Sequence, residues 1–317
     1  MGLSADSFDR VDSRYELGQI VDRFRHREDD IDLSAGWSPR PSGRWVQRYS
    51  AGYRYQQSTF TVSPGAPQPA LLPADRRFSY PYAAFDLIQD AYDKTRNQDQ
   101  LARTEDLYYG LQLHAEMGYM ARGFGADRDA AIFAATMTSG YRLTDRQSIF
   151  PVASASGRLE GGDPRNLMAT LGARYFWRWD PLRVFYASLT ATSTHDLDPD
   201  NQLLLGGDSG LRGYPIRYQN GTSLALLTLE QRFYTNWFPF RLFNVGGAVF
   251  FDAGRTWGRG LLPGDNLGLL RDAGLGLRFG NARSGLGNVV HVDLSYALDG
   301  PATLRKVQVT VQTEQSF

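Results

Sequence analysis

The 317-residue sequence contains no cysteine. That absence removes disulfide frameworks, thiolate metal sites and thiol nucleophiles together. No stretch comes near the roughly 18 uninterrupted apolar residues of a transmembrane helix, and the mean hydropathy of −0.39 is too polar for a helical membrane protein. Neither observation bears on a transmembrane barrel, whose strands are apolar on one face only. Charge of one sign is not in excess, because 34 Lys and Arg balance 34 Asp and Glu. A nucleic-acid-binding protein normally shows a basic excess or patch, so no nucleic-acid partner is expected. The opening MGLSADSFDRVDSRYELGQ lacks the basic-then-apolar order of a secretory signal peptide. Long amphipathic helices, composition breaks and exact internal repeats are also missing from the pattern.

What is present is period-two alternation. In NLMATLGARYFWRW (166–179), Leu167, Ala169, Leu171, Ala173, Tyr175, Trp177 and Trp179 share one face, while Thr170, Arg174 and Arg178 lie on the other. In 108–120, Tyr109, Leu111, Leu113, Ala115, Met117 and Tyr119 oppose Gln112, His114 and Glu116; in 45–56, Tyr49, Ala51, Tyr53 and Tyr55 oppose Arg48 and Arg54. The same rhythm recurs in 272–279 and 288–298. Further strands are expected near 15–25, 30–38, 78–92, 129–143, 147–160, 182–195, 223–235, 245–257 and 306–317. The total is about fourteen, separated by turns that alternate roughly between short and long. A soluble sandwich buries such an apolar face with strands of about six residues. Strands twice that length, apolar on one face and charged on the other, with Trp and Phe clustered at their ends, fit lipid outside and a wet lumen inside. The fold class read from the sequence is therefore an all-β transmembrane antiparallel barrel.

One loop stands apart. LLLGGDSGLRGYPIRYQNG (203–221) carries five glycines, and one of its arginines, Arg212, sits between Leu211 and Gly213. It lacks the Lys-Ser/Thr of a phosphate-binding P-loop and no helix follows it, which leaves a surface turn or a plug whose Arg has a partner elsewhere. Downstream, Glu230 shares a strand face with Thr228 and Arg232, and Asp252 shares one with Phe250 and Gly254. A carboxylate inside a narrow lumen should recruit a cation, and a guanidinium makes bidentate carboxylate pairs.

These residues resemble a bacterial outer-membrane superfamily. LRGY (211–214), the Glu of TLEQRF, the FxDxG of Phe250, Asp252 and Gly254, and a last strand ending in Phe317 are similar to the barrels of BamA/TamA assembly factors and two-partner-secretion transporters (TpsB/FhaC-like, surface antigen or haemolysin activator type). The resemblance implies a sixteen-stranded barrel whose sixth extracellular loop folds into the lumen. It also implies that the loop motif Leu211, Arg212, Gly213 and Tyr214 is held through Arg212 to Asp252 near Glu230. Five strands after the loop agree with that topology, and Val307, Val309, Val311 and Phe317 supply the C-terminal assembly signal, with Gln315 where an aromatic is common. Against the family pattern, POTRA domains and a signal peptide are missing and two strands fewer are visible. The chain is accordingly read as one barrel domain, 1–317, with 1–14 a remnant of a linker or of the first hairpin.

The implied function is a pore-forming barrel that inserts or translocates proteins at the outer membrane, gated by the loop. The alternative is a passive diffusion pore, or the barrel of a passenger-linked (patatin-like lipase) protein. Expected partners are outer-membrane lipid, a client or secreted protein and the outer-membrane assembly machinery, with the barrel a monomer. No catalysis is expected, since neither GxSxG nor a Ser/His/Asp set is found, and no cofactor is implied. Asp196, Asp198 and Asp200 in HDLDPDN are spaced like a calcium loop, but Asn201 and Gly207 stand where Gly and Glu belong, so a solvated acidic loop is expected rather than a metal site. His114 and His291 are read as isolated lumen residues. Arg48, Arg54, Arg174, Arg178, Arg232 and Arg278 are expected to line a polar pore.

Overall fold

The computed structural model describes residues 1–63, 65, 69–96, 98, 104–260, 267–281 and 289–314. Fourteen strands follow one another in a single antiparallel sheet. The first half comprises β1 (Gly2–Glu16), β2 (Gln19–Trp37), β3 (Trp45–Val62), β4 (Arg76–Gln89), β7 (Gln112–Met120), β8 (Ala130–Thr138) and β10 (Gln147–Glu160). The second half comprises β11 (Asp163–Asp180), β12 (Arg183–His195), β15 (Ser223–Tyr234), β16 (Phe243–Trp257), β17 (Leu270–Asn281), β18 (Val289–Ala297) and β19 (Val307–Glu314). Off this path, β5 (Tyr92–Arg96) pairs with β6 (Thr104–Tyr108), β9 (Tyr141–Thr144) adds to β10, and β13 (Leu203–Leu205) pairs with β14 (Gln219–Gly221). The sheet curls back on itself: the loop between β12 and β15 touches β1 at one end and β18 at the other, through Arg14 to Pro199 and Arg212 to Asp293.

Alternation decides which face turns inward. Leu171 on β11 is 65% exposed and Met117 on β7 is 69% exposed, whereas Phe176 on the other face of β11 is buried. Leu275 and Leu277 likewise point out while Asp272 and Arg278 point in. An outward row of Leu, Met, Tyr and Val is stable only against lipid, because it would otherwise be a continuous apolar surface in water. Val307, Val309 and Val311 of β19 lie in that outward row; Phe317 lies outside the described residues. Aromatics mark one rim, where Trp37 stacks on Tyr49 at a centroid distance of 5.9 Å, Trp177 meets Trp179 in a tilted pair at 5.1 Å, and Trp237 is exposed. Their amphipathic rings suit the lipid–water boundary.

The strands near the N-terminus differ from expectation. Residues 15–25 and 30–38 are not two strands; 15–16 end β1, 17–18 form the turn, and most of the rest falls in the single strand β2, which pairs with β1 from Gln19 to Ser34, so 2–14 lie in the first hairpin. The misleading segment, Arg23 to Asp30, is charged on both faces. Arg25 pairs with Asp9 on the outside and His26 with Asp12 on the inside, so no apolar period survives there. The expected strand 129–143 is broken into β8 and β9 at Gly140, where any Cβ would sit within 2.9 Å of Phe150 and of the Tyr108–Tyr109 backbone. Turn lengths also fail to alternate strictly. The rim that carries the loop 196–222 includes two-residue turns at 17–18 and 161–162, and the opposite rim carries the long connection 90–111.

Leu171→Arg places a charge on the lipid face near the middle of β11 and should cost about 2–4 kcal/mol, read as a lower urea midpoint for protein refolded in lipid vesicles. An unchanged midpoint would show that this face does not meet lipid.

Candidate functional site

The loop 196–222 enters the lumen because its ends and its middle each find partners there. Leu205, Leu211, Tyr214 and Tyr218 pack with Leu270 and Ala297 of the wall into a buried apolar cluster. The Tyr214 hydroxyl donates to the Arg271 carbonyl at 2.8 Å and accepts from the Asp299 amide at 3.2 Å. The short β13–β14 ladder closes the loop's base, and the Gln219 side chain bridges the Thr256 amide and the Gly268 carbonyl. Leu211 takes a positive φ of 57° to direct the next residue at the wall. Gly213 then passes so close to β17 that a Cβ there would lie 2.6 Å from the Asp272 Cβ, so only glycine fits without displacement.

Arg212 is thereby delivered to a cluster of carboxylates. Its Nε and Nη2 donate to the two oxygens of Asp252 at 2.8 and 3.1 Å, a bidentate fork. Its Nη1 donates to Glu230 at 2.9 Å and to Asp293 at 3.2 Å. The guanidinium carbon also lies over the Phe250 ring, 3.4 Å from the centroid, adding a cation–π contact. The FxDxG pattern now has a geometric reason: with period two, Phe250 and Asp252 share a lumen face, one offering a ring and the other an anion. Gly254 completes that face, because a Cβ there would crowd Leu205 of the loop at 3.0 Å. Asp252 is 1% exposed and Glu230 is buried. Buried carboxylates are tolerated only when paired, and removing one partner of such a pair costs about 3–5 kcal/mol.

All of the residues expected at this site therefore meet there. Three participants were not assigned to it from sequence: Asp293 on β18, Arg278 on β17 and Arg232 on β15. Arg278 donates to Asp293 and, at 3.2 Å, to Glu230; Arg232 donates to Glu230 at 2.9 Å. Their placement on inward faces was visible in the alternation, but which strand positions stand level across the lumen depends on register. The arginines expected to line a polar pore are each held by partners at Arg54, Arg178, Arg232 and Arg278. Arg54 is tied to Asp32 and Glu116 at 3.0 and 2.8 Å, and Arg178 to Thr95. His114 is not isolated either, since it meets Asp86 at 2.8 Å.

The HDLDPDN segment is a second anchor rather than a solvated loop. Asp198 receives both Nη groups of Arg158, at 2.7 and 2.5 Å, and Asp200 those of Arg76, at 2.7 and 2.6 Å. Asp196 pairs with Arg165, and the Pro199 carbonyl accepts from Arg14. Burial opposes ionisation of Asp200, but the adjoining Arg76 guanidinium outweighs it and holds the carboxyl below the usual carboxylate range. Among the described residues no group of His, Asp and Glu is arranged to hold a metal ion.

Gly213→Ala should push the loop off β17, costing about 1–3 kcal/mol as an overpacked contact, and speed trypsin cleavage after Arg212 in the folded barrel. Cleavage at the parent rate would mean that the close approach does not hold the loop.

No curated protein matches this sequence. Among solved structures, the fold is similar to CdiB from Escherichia coli, with 15% identity, 92% of this chain and 55% of that chain covered, and a TM-score of 0.47. BamA from Haemophilus ducreyi lacking POTRA domains 1-3 gives 13% identity, 98% and 70% coverage, and a TM-score of 0.48. CdiB from Acinetobacter baumannii gives 13%, 98% and 59%, and 0.47. The chain thus spans little more than half of either CdiB chain. The Omp85 superfamily domain matches residues 23–296, from β2 into β18, and so takes in the loop and every partner of Arg212. With that much of its length matched, the chain belongs to the Omp85 superfamily and is a β-barrel protein of the bacterial outer membrane.

Proposed function

We propose that this protein is a pore-forming barrel that inserts proteins into, or translocates them across, the outer membrane. Its resting state is held by the loop 196–222, locked through Arg212. The whole of residues 1–317 serves as the barrel domain, and its partners are outer-membrane lipid and a client or secreted protein. The assembly machinery reads the outward valines of its last strand.

The observation that carries this reading is the fourfold engagement of Arg212 by Asp252, Glu230, Asp293 and the Phe250 ring. A loop that merely narrowed a diffusion pore would need no such bond. A loop that must stay in place until a client arrives needs a bond that is strong while formed and that can be exchanged as a unit. Membership of a superfamily whose barrels insert or translocate proteins supports the same reading. The passive-pore alternative calls for an open lumen, whereas the loop and its ion pairs fill this one between β12 and β18.

Arg212→Ala leaves three buried carboxylates without their shared cation. It should lower client insertion or secretion at least tenfold, against less than twofold for Arg183→Ala, a surface residue whose side chain is 59% exposed. The measurement is client assembly by the full-length protein in proteoliposomes or cells. Undiminished activity of Arg212→Ala would sink the lock. Arg212→Lys should fall between the two, because an ammonium cannot reproduce the bidentate fork.

A further inference from the structure

The rim opposite the loop is closed by tight turns at 181–182 and by short connections at 38–44 and 235–242. The connection 90–111 is different. It contains the β5–β6 hairpin, which leaves the wall between β4 and β7 and does not join the main sheet. Its described residues turn inward. Gln98 is 2% exposed, and its carbonyl accepts from Arg232 Nη1 at 3.0 Å and from the Tyr234 hydroxyl at 3.1 Å. Its amide donates to Glu105 of β6 at 2.9 Å, which stiffens the hairpin, and Thr95 of β5 accepts from Arg178.

Distance makes these contacts informative. Arg232 and Tyr234 belong to β15, five strands along the wall from β7. At about 4.8 Å per strand that is roughly 24 Å around the wall. On the way the segment meets Arg142 of β9 through Asp93 and Arg178 of β11 through Thr95, so it reaches β15 along the inside of this mouth of the barrel. Glu230 then stands between the two inserted segments. One of its oxygens, Oε2, accepts from Arg212 of the loop at 2.9 Å, and the other, Oε1, accepts from Arg232 at 2.9 Å, the residue that holds the hairpin. The chain Arg212–Glu230–Arg232–Gln98 runs unbroken from one insert to the other.

We infer that the β5–β6 hairpin, with Gln98, is a second plug, entering from the opposite rim, and that Glu230 couples its seating to that of the loop. The coupling rests on the loop being the lock described above; the plug itself does not. Release of Arg212 turns Glu230 toward its remaining cations and shifts Arg232 off the Gln98 carbonyl, so the two mouths open together rather than one at a time. Coupling between two sites is reciprocal, so loosening the hairpin must also loosen the loop.

The native chain has no cysteine, so single reporters are unambiguous. Gln98→Cys reports the hairpin and Leu205→Cys, a fully buried loop position, reports the loop, each by the rate of maleimide labelling in the full chain refolded into lipid vesicles. Each is combined with Arg212→Ala, or with the hairpin-only pair Tyr234→Phe and Arg178→Gln, and only variants that keep the folded barrel's migration in unheated gels are compared. Arg212→Ala should speed labelling at both reporters, and the hairpin pair should do the same, by about fivefold or more at the distant site. If Gln98→Cys in the otherwise native chain labels as fast as a surface thiol, the second plug is wrong. If Arg212→Ala frees Leu205→Cys but leaves Gln98→Cys unchanged, the coupling is wrong while the loop lock stands. If Arg212→Ala changes neither reporter, the lock and the coupling fail together, and a response of Gln98→Cys to the hairpin pair still upholds the second plug.

Discussion

A carboxylate inside a barrel has nowhere to go. Glu230, Asp252 and Asp293 are fixed on strands that lipid constrains from outside, and they face a space too crowded to hydrate them fully. Charge in that setting must be neutralised by charge. Arg212 on the loop, with Arg232 and Arg278 on the wall, meets that demand. The rest of the lumen follows from it: the loop's backbone turns at Leu211, Gly213 approaches β17, and Phe250 lies under the guanidinium because each brings one cation to one cluster. A hydrophobic plug would be stable anywhere along the wall. An ionic one is stable at a single depth.

The other half of the barrel applies the same logic with different residues. Arg54 joins Asp32 on β2 to Glu116 on β7, across β3 and β4. Arg76 and Arg158 hold Asp198 and Asp200 at the loop's root. These are cross-strand and cross-lumen links, so they act on the sheet's curvature as well as on the loop. The lumen of this protein is less a channel than a packed, charged core with two chain segments inserted into it.

Much of this was legible in the residues. Alternation over ten or more positions named the wall strands and their faces, and Arg212, Glu230 and Asp252 were identifiable because inward carboxylates call for a cation and because LRGY and FxDxG match the family's motifs. The limits had physical causes. Where β2 leaves the lipid, both faces are charged from Arg23 to Asp30, and a period that depends on lipid vanishes with it. Asp293 and Arg278 were visible as inward residues but not as partners of Arg212, since register, which no single strand encodes, decides which positions stand level. The β5–β6 hairpin escaped notice because YDKTR and TEDLY are short and polar, and what holds them is a backbone carbonyl, which has no signature in sequence. HDLDPDN was misjudged as solvated because its arginines lie 40 and more than 100 residues away.

The two anchors of the loop 196–222 have a mechanical meaning beyond holding it. Arg76 sits on β4 and Asp252 on β16, which are seven steps apart along a path of fourteen strands, or half a circumference. The loop is therefore a diameter. A thin-walled tube in a bilayer is easily flattened by lateral pressure, since bending the wall changes few hydrogen bonds. A tie fixed at both ends to opposite sides sets the tube's width in one direction and leaves the other free. The loop thus helps set the cross-section of this barrel, and freeing either end changes the roundness of the tube itself.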